Sequence, residues 1–132
     1  MPALIPNPLR QAIIERAQHR CEYCHKPQIG FYPHEVDHVI AVKHGGATTL
    51  ENLAFACFQC NRYKGSDLAS IDPQTNLITP LLNPRRQRWH THFRMEDARI
   101  IPLTPEARAT VALLQLNDST RIQERRVLQV QD

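Results

Sequence analysis

The chain has 132 residues, 42% hydrophobic but only 6% aromatic, so it can bury one modest core and is read as a single domain over residues 1–132. Its formal charge of +3, with seven histidines counted as neutral, permits a nucleic-acid partner without requiring one. No apolar run reaches the length of a membrane span, and the start MPALIPNPLRQ lacks the pattern of a secretory signal. The expectation is therefore a soluble, cytoplasmic protein whose four cysteines stay reduced.

Asn7-Pro8 reads as a helix start, Asn as N-cap and Pro at the first helical position. Leu9, Ile13 and Ala17 recur at helical spacing, which predicts a helix from about Pro8 to His19. Residues 27–33 contain Pro27, Gly30 and Pro33 and read as loop. His34 to Val42 is the best strand candidate, broken by His44-Gly45-Gly46. Thr48-Thr49-Leu50-Glu51 has capping-box spacing and predicts a short helical turn. Asn52 to Ala56 predicts a second strand, and Cys57 to Lys64 a helix ended by Gly65.

Ser66 to Pro84 reads as an ordered connection, because Leu77, Ile78, Leu81 and Leu82 call for burial. Asn83-Pro84 can start another helix, on which Trp89 and Phe93 share a face at i, i+4. A strand is predicted over Arg99 to Leu103, then a helix from Thr104-Pro105-Glu106 to about Leu116. A last helix, weakly amphipathic, is predicted from about Ser119 to Val130.

Cys21-x2-Cys24 and Cys57-x2-Cys60 account for every cysteine. Two residues between thiolates let a tight knuckle aim both at one ion, and two knuckles complete a tetrahedral set that suits zinc, with iron as the other option. Four thiolates leave no open coordination position, so such a zinc is structural. The rival reading is four buried free thiols or a redox pair. His25 and His34 could compete as ligands, but the cysteines already fill the shell.

Residues 36–40 read VDHVI. On a regular strand Val36, His38 and Ile40 share one face, and Asp37 and Val39 the other, so the adjacent acid and imidazole diverge. If both Cys57 and Cys60 are fixed on zinc, the metal clamps the helix carrying Asn61 against this strand. The stretch DHVIAVKHGGATTLENLAFACFQCNRYKG resembles the HNH endonuclease motif in its four-cysteine form. It matches in Asp37-His38, Gly45-Gly46, Asn52-Leu53, Cys57-x2-Cys60-Asn61 and Lys64, preceded by Cys21-x2-Cys24. The resemblance covers residues 21–65, leaving 66–132 as a C-terminal extension in which LLNPRRQRWHTHF resembles an extension seen in bacterial members. Two departures stand out: the last residue of the triad is Asn61, as in the HNN variant, and Ala41 stands where a proline is common.

The resemblance implies an α+β fold: a small ββα-metal core stapled by zinc, with added N- and C-terminal helices. It also implies DNA phosphodiester hydrolysis. His38 is expected as general base, and Asp37 and Asn61 as ligands of a divalent ion such as Mg2+, whose preference for oxygen suits an amide and a carboxylate. Asn52 is expected to brace the loop and orient His38. His44, beside the Gly-Gly turn, is read as an exposed loop residue. Arg62 or Lys64 is expected to hold a neighbouring phosphate, and Arg85, Arg86 and Arg88 to contact the backbone of a duplex. Arg121, Arg125 and Arg126 form a second basic cluster. Taken singly, these residues have plainer readings: a buried Asp-His pair, caps, solvated charges. Two further functions fit the zinc knuckles, a nucleic-acid-binding module without cleavage and a structural domain for a protein partner. Oligomeric state is not legible.

Overall fold

A computed structural model describes residues 4–29 and 32–128; Gly30, and the end of the last predicted helix at Gln129 and Val130, lie outside the described residues. The described fold is α+β, with five helices and three antiparallel strand pairs. None of its helices is long and apolar enough to cross a membrane.

Helix α1 spans Asn7–Arg16, one residue earlier than predicted, with Pro6 rather than Asn7 at the N-cap. Its buried face carries Ile13, which packs with Leu53 and Phe55. Each of these side chains contributes roughly 1.5–3 kcal/mol when fully buried. Gln18 and His19 take positive φ and turn the chain into the first cysteine knuckle.

Strand β1 (Glu35–His38) pairs with β2 (Leu53–Ala56), Asp37 opposite Ala54 and His38 opposite Leu53. The strand predicted to reach Val42 stops at His38, and Val42–His44 is a 3-10 turn instead. Its C-cap, Gly45, has φ 88°, a conformation that favours glycine. Helix α2 (Phe58–Lys64) follows β2 directly, with Gly65 at its C-cap. Strand, loop, strand and helix thus make the expected ββα unit.

The connection after α2 holds a hairpin that the sequence pattern did not reveal, β3 (Ala69–Ile71) with β4 (Ile78–Pro80). Leu81 and Leu82 are buried as expected, but Leu77 and Ile78 are exposed, because they sit at the hairpin's outer end. Asn83-Pro84 starts a turn rather than a helix: the Asn83 side chain caps Arg85 N, and the Gln87 side chain bonds back to Asn83 N. The only helix here is the short α3 (Trp89–His92), and Phe93 already opens β5 (Phe93–Glu96). Strand β5 pairs with β6 (Arg99–Pro102).

Thr104 caps α4 (Pro105–Leu114) through Ala107 N, as its sequence predicts. Helix α5 covers Ser119–Leu128. Asp72, fully buried at the turn of the β3–β4 hairpin, accepts two hydrogen bonds from Arg108 of α4 at 2.8 and 2.9 Å. Gln74 N and the Thr75 hydroxyl also donate to it. The Arg108 guanidinium holds the Asp72 carboxyl well below the usual carboxylate range. A carboxyl depressed in the folded state stabilises the fold above its unfolded pKa, and that contribution is lost as pH falls. Asp72→Asn should therefore be less stable than wild type at neutral pH, with the gap closing below about pH 4, where the unfolded carboxyl protonates. Urea denaturation of both proteins from pH 7 down to pH 3 measures it.

Candidate active site and cysteine cluster

The two knuckles are built by backbone donors turned inward on sulfur. Cys21 Sγ accepts from Tyr23 N and Cys24 N, and Cys57 Sγ accepts from Cys60 N at 3.4 Å, capping α2. All four sulfurs lie within 4.8 Å of one another, with Cys24 and Cys57 at 3.6 Å. A tetrahedral ion with bonds of about 2.3 Å sets its sulfurs about 3.8 Å apart, so this cluster could hold one metal ion. Burial pushes the Cys21 and Cys60 thiols up, which a bound cation would reverse. The histidines stay outside: His34 bonds Lys26 O at 2.8 Å, and the His25 ring packs at a tilt against Trp89, centroids 4.0 Å apart.

The first knuckle is tied to β2. Glu22 N donates to Phe55 O, and Phe55 N donates back to the Glu22 carboxylate. Both knuckles therefore flank β2, and α2 leaves it in a fixed direction.

Asp37 and His38 diverge from β1. The face of Val36 and His38 lies toward α1, where Val36 packs with Ile13 and Phe55. His38 Nε2 is 2.9 Å from the Thr48 hydroxyl. Glu35 and Asp37 take the other face, opposite α2. There Asn61 Nδ2 donates to the Glu35 carboxylate at 2.5 Å, and Lys64 Nζ lies 3.9 Å from Asp37 Oδ2. That distance makes an ion pair but not a hydrogen bond, and Asp37 Oδ2 is buried with no hydrogen-bond partner. Burial raises the Asp37 carboxyl above the usual range, against the pull of Lys64 and the His38 backbone N–H. A buried carboxylate oxygen that accepts no hydrogen bond and faces Asn61's helix fits a cation-binding position in donor chemistry. Asn61 reaches this face, but its direct partner is Glu35 rather than Asp37.

Asn52 holds the loop between the strands. Its Oδ1 accepts from Ile40 N, and its Nδ2 donates to Ile40 O and Ala47 O at 2.9 and 2.8 Å. Its own backbone O accepts from Val39 N. One amide thus stands in for a strand partner where the β1–β2 ladder has ended. Gly46 lies under the same loop, where a Cβ would come within 1.6 Å of Ile40 O. His44 is exposed on the loop.

Two expected phosphate contacts are used inside the protein. Lys64 is 2% exposed and donates to Val39 O at 3.1 Å, because α2 packs its last turn against the end of β1. Arg85 bonds the Glu22 carboxylate and Leu53 O, with only 11% of its side chain exposed. Arg62, Arg86 and Arg88 are exposed. An open groove of about 420 Å³ runs past Val39, Ile40 and Lys64 to Arg86. Trp89 and Phe93 pack together at 5.0 Å as expected, and Trp89 donates to Tyr23 O of the first knuckle. The second basic cluster is not a surface patch: Arg121 and Arg125 are buried, and only Arg126 is exposed.

Glu35 and Thr48 were not singled out from sequence. Glu35's spacing of two from Asp37, on one strand face, was the available signal. Thr48 reads from sequence as the start of a capping box, yet the short turn Leu50–Asn52 has Thr49 at its N-cap with no side-chain cap hydrogen bond, and the Thr48 hydroxyl meets His38 instead.

Strand pair, following helix, sulfur cluster and the divergent acid and imidazole make one connected unit. Residues 21–67 match the HNH endonuclease family. The HNH segment runs from the first knuckle to just beyond α2 and leaves α3 to α5 outside it. No curated protein sequence matches the chain. The family description points to nuclease activity and a nucleic-acid substrate.

Asn52→Ala removes three side-chain hydrogen bonds from the HNH loop. It should cost about 2–3 kcal/mol in urea unfolding at roughly 1 kcal/mol per bond. Hydrogen exchange at Ile40 N should rise with it.

Proposed function

We propose that this protein is a metal-dependent endonuclease that hydrolyses DNA phosphodiester bonds, with a structural zinc on Cys21, Cys24, Cys57 and Cys60. The reading is carried by the buried oxygen of Asp37 that accepts no hydrogen bond, next to a histidine aimed at the opposite face of the same strand. Asp37 and Asn61 would hold a divalent ion such as Mg2+. When bound, that ion supplies positive charge against the phosphoryl and leaving oxygens.

The chain's own residues do the rest. With Nε2–H donating to Thr48, the His38 lone pair lies on Nδ1, which takes a proton from the attacking water. The water oxygen bonds phosphorus as the ester bond on the far side breaks, and the leaving oxygen departs with the electron pair. Asn52 keeps the loop that carries Thr48 at the height of His38. Glu35, accepting from Asn61 Nδ2, leaves the amide oxygen of Asn61 available. Arg62, Arg86 and Arg88 hold the DNA backbone. Bonds from the extension to the first knuckle support treating the chain as one domain.

One observation favours a second reading, a zinc-stabilised nucleic-acid-binding module without cleavage. Lys64 already brings a cation to within 3.9 Å of Asp37, where a metal is expected. Supercoiled plasmid incubated with Mg2+ or Mn2+, and with EDTA, separates the two. Metal-dependent nicking supports the nuclease, whereas a mobility shift without nicking supports the binding module. His38→Ala should cut about 100- to 10,000-fold more slowly, the usual worth of a general base, with unchanged circular dichroism and zinc content. Cleavage at the wild-type rate would remove His38 from the mechanism.

Arg86→Ala with Arg88→Ala should lower the slope of log affinity against log salt by up to about 1.8, at about 0.9 per lost phosphate contact. Arg85→Ala should instead lower stability and leave that slope alone. Fluorescence anisotropy on a labelled duplex across a salt series tests both.

A further inference from the structure

Arginine 121 reaches from α5 into the sulfur cluster. Its Nη2 lies 3.0 Å from Cys60 Sγ and 3.7 Å from Cys57 Sγ. Its Nη1 donates to Leu114 O at 2.6 Å, at the end of α4. The residue is 7% exposed, although it stands 61 positions beyond Cys60 and outside the HNH segment. Arg125, one turn further along α5, is also buried and bonds Leu116 O and Ala98 O. On the same helix Glu124 pairs with Lys26 of the first knuckle at 3.2 Å. Cys24, Lys26, Arg121, Glu124 and Arg125 together line one small cavity.

Charge explains why arginines are buried here. Four thiolates around a divalent ion carry two net negative charges, a heavy burden in an apolar interior. Two buried guanidinium groups from one helix match that excess, and N–H to thiolate bonds help hold the sulfurs on the metal. The guanidinium that meets Cys60 also holds Leu114 O, so the cluster, the end of α4 and α5 share one contact.

We propose that Arg121, supported by Arg125, is the counter-charge of the four-cysteine metal site, and that metal occupancy and docking of α5 are thermodynamically coupled. The HNH segment then depends on the C-terminal extension to retain its metal, and the extension depends on the metal to stay folded back. The inference rests on zinc occupancy but not on nuclease activity.

The test uses full-length protein whose zinc content is first measured by elemental analysis. Zinc transfer to a chromogenic chelator is then timed for wild type, Arg121→Met, Arg121→Lys and the exposed control Arg126→Met. Arg121→Met should release zinc roughly tenfold faster or more, the usual scale for losing a partner of a metal ligand. Arg121→Lys, which keeps the charge but not the fork, should fall between, and Arg126→Met should match wild type. Hydrogen exchange on zinc-loaded Arg121→Met should show α5 exchanging faster while α2 stays protected. Wild-type release and wild-type α5 exchange in folded Arg121→Met would overturn the coupling. If Arg121→Met does not fold, Arg121→Gln, which keeps a polar side chain but not the charge, decides: faster release supports the proposal and an unchanged rate overturns it. Wild type that neither contains nor takes up zinc would overturn the metal reading beneath it.

Discussion

Four sulfurs from two knuckles must meet at one point, although Cys24 and Cys57 are 33 positions apart in the chain. Almost every other placement follows from that convergence. Cys57 caps α2, so the helix axis is set by the cluster. Glu22, inside the first knuckle, zips onto Phe55 and fixes β2 from the other side. The extension returns to the same place through Arg85 on Glu22, Trp89 on Tyr23 O, Arg121 on Cys60 and Glu124 on Lys26. A chain with few aromatic anchors thus organises itself around a polar centre, as small domains with limited cores often do.

The ribbon of β1 and β2 lies between α1 and α2, and this explains the division of work along VDHVI. Alternation sends His38 to the α1 side and Asp37 to the α2 side. Each then meets a different environment: a hydroxyl for His38, and a carboxylate, an amide and an ammonium around Asp37. Strand geometry alone separates them. What keeps the strand from running on is Asn52, whose amide replaces the next rung of the ladder and so creates the loop that brings Thr48 to His38.

The cysteine spacing and the ββα order were legible in the sequence because each rests on local rules: a knuckle, an alternating strand, a capped helix. Gly65 and Thr104 mark helix ends in the structure as they do in the sequence. Long-range partners were not legible. Nothing near Lys64 or Arg85 in the chain says that these cations turn inward, since their partners, Val39 and Glu22, lie 25 and 63 positions away. The hairpin of β3 and β4 was missed because its strands are three residues each and it is stapled by a buried Asp72 to an arginine in α4. The i, i+4 spacing from Trp89 predicts a helical Phe93, yet the two rings meet across a helix-to-strand junction.

The buried cations also change how the molecule looks from a distance. The formal charge of +3 counts neutral cysteines, and a loaded four-thiolate site would lower it by two, to about +1. Lys64, Arg121 and Arg125 are buried and Arg85 nearly so, which leaves the outward field to the exposed cations, Arg62, Arg86 and Arg88 among them. At physiological salt such charges act only within about 8 Å. An encounter with a polyanion would then gain little from long-range steering. Orientation at contact would set its rate, and the acidic residues around those arginines would matter as much as the arginines themselves.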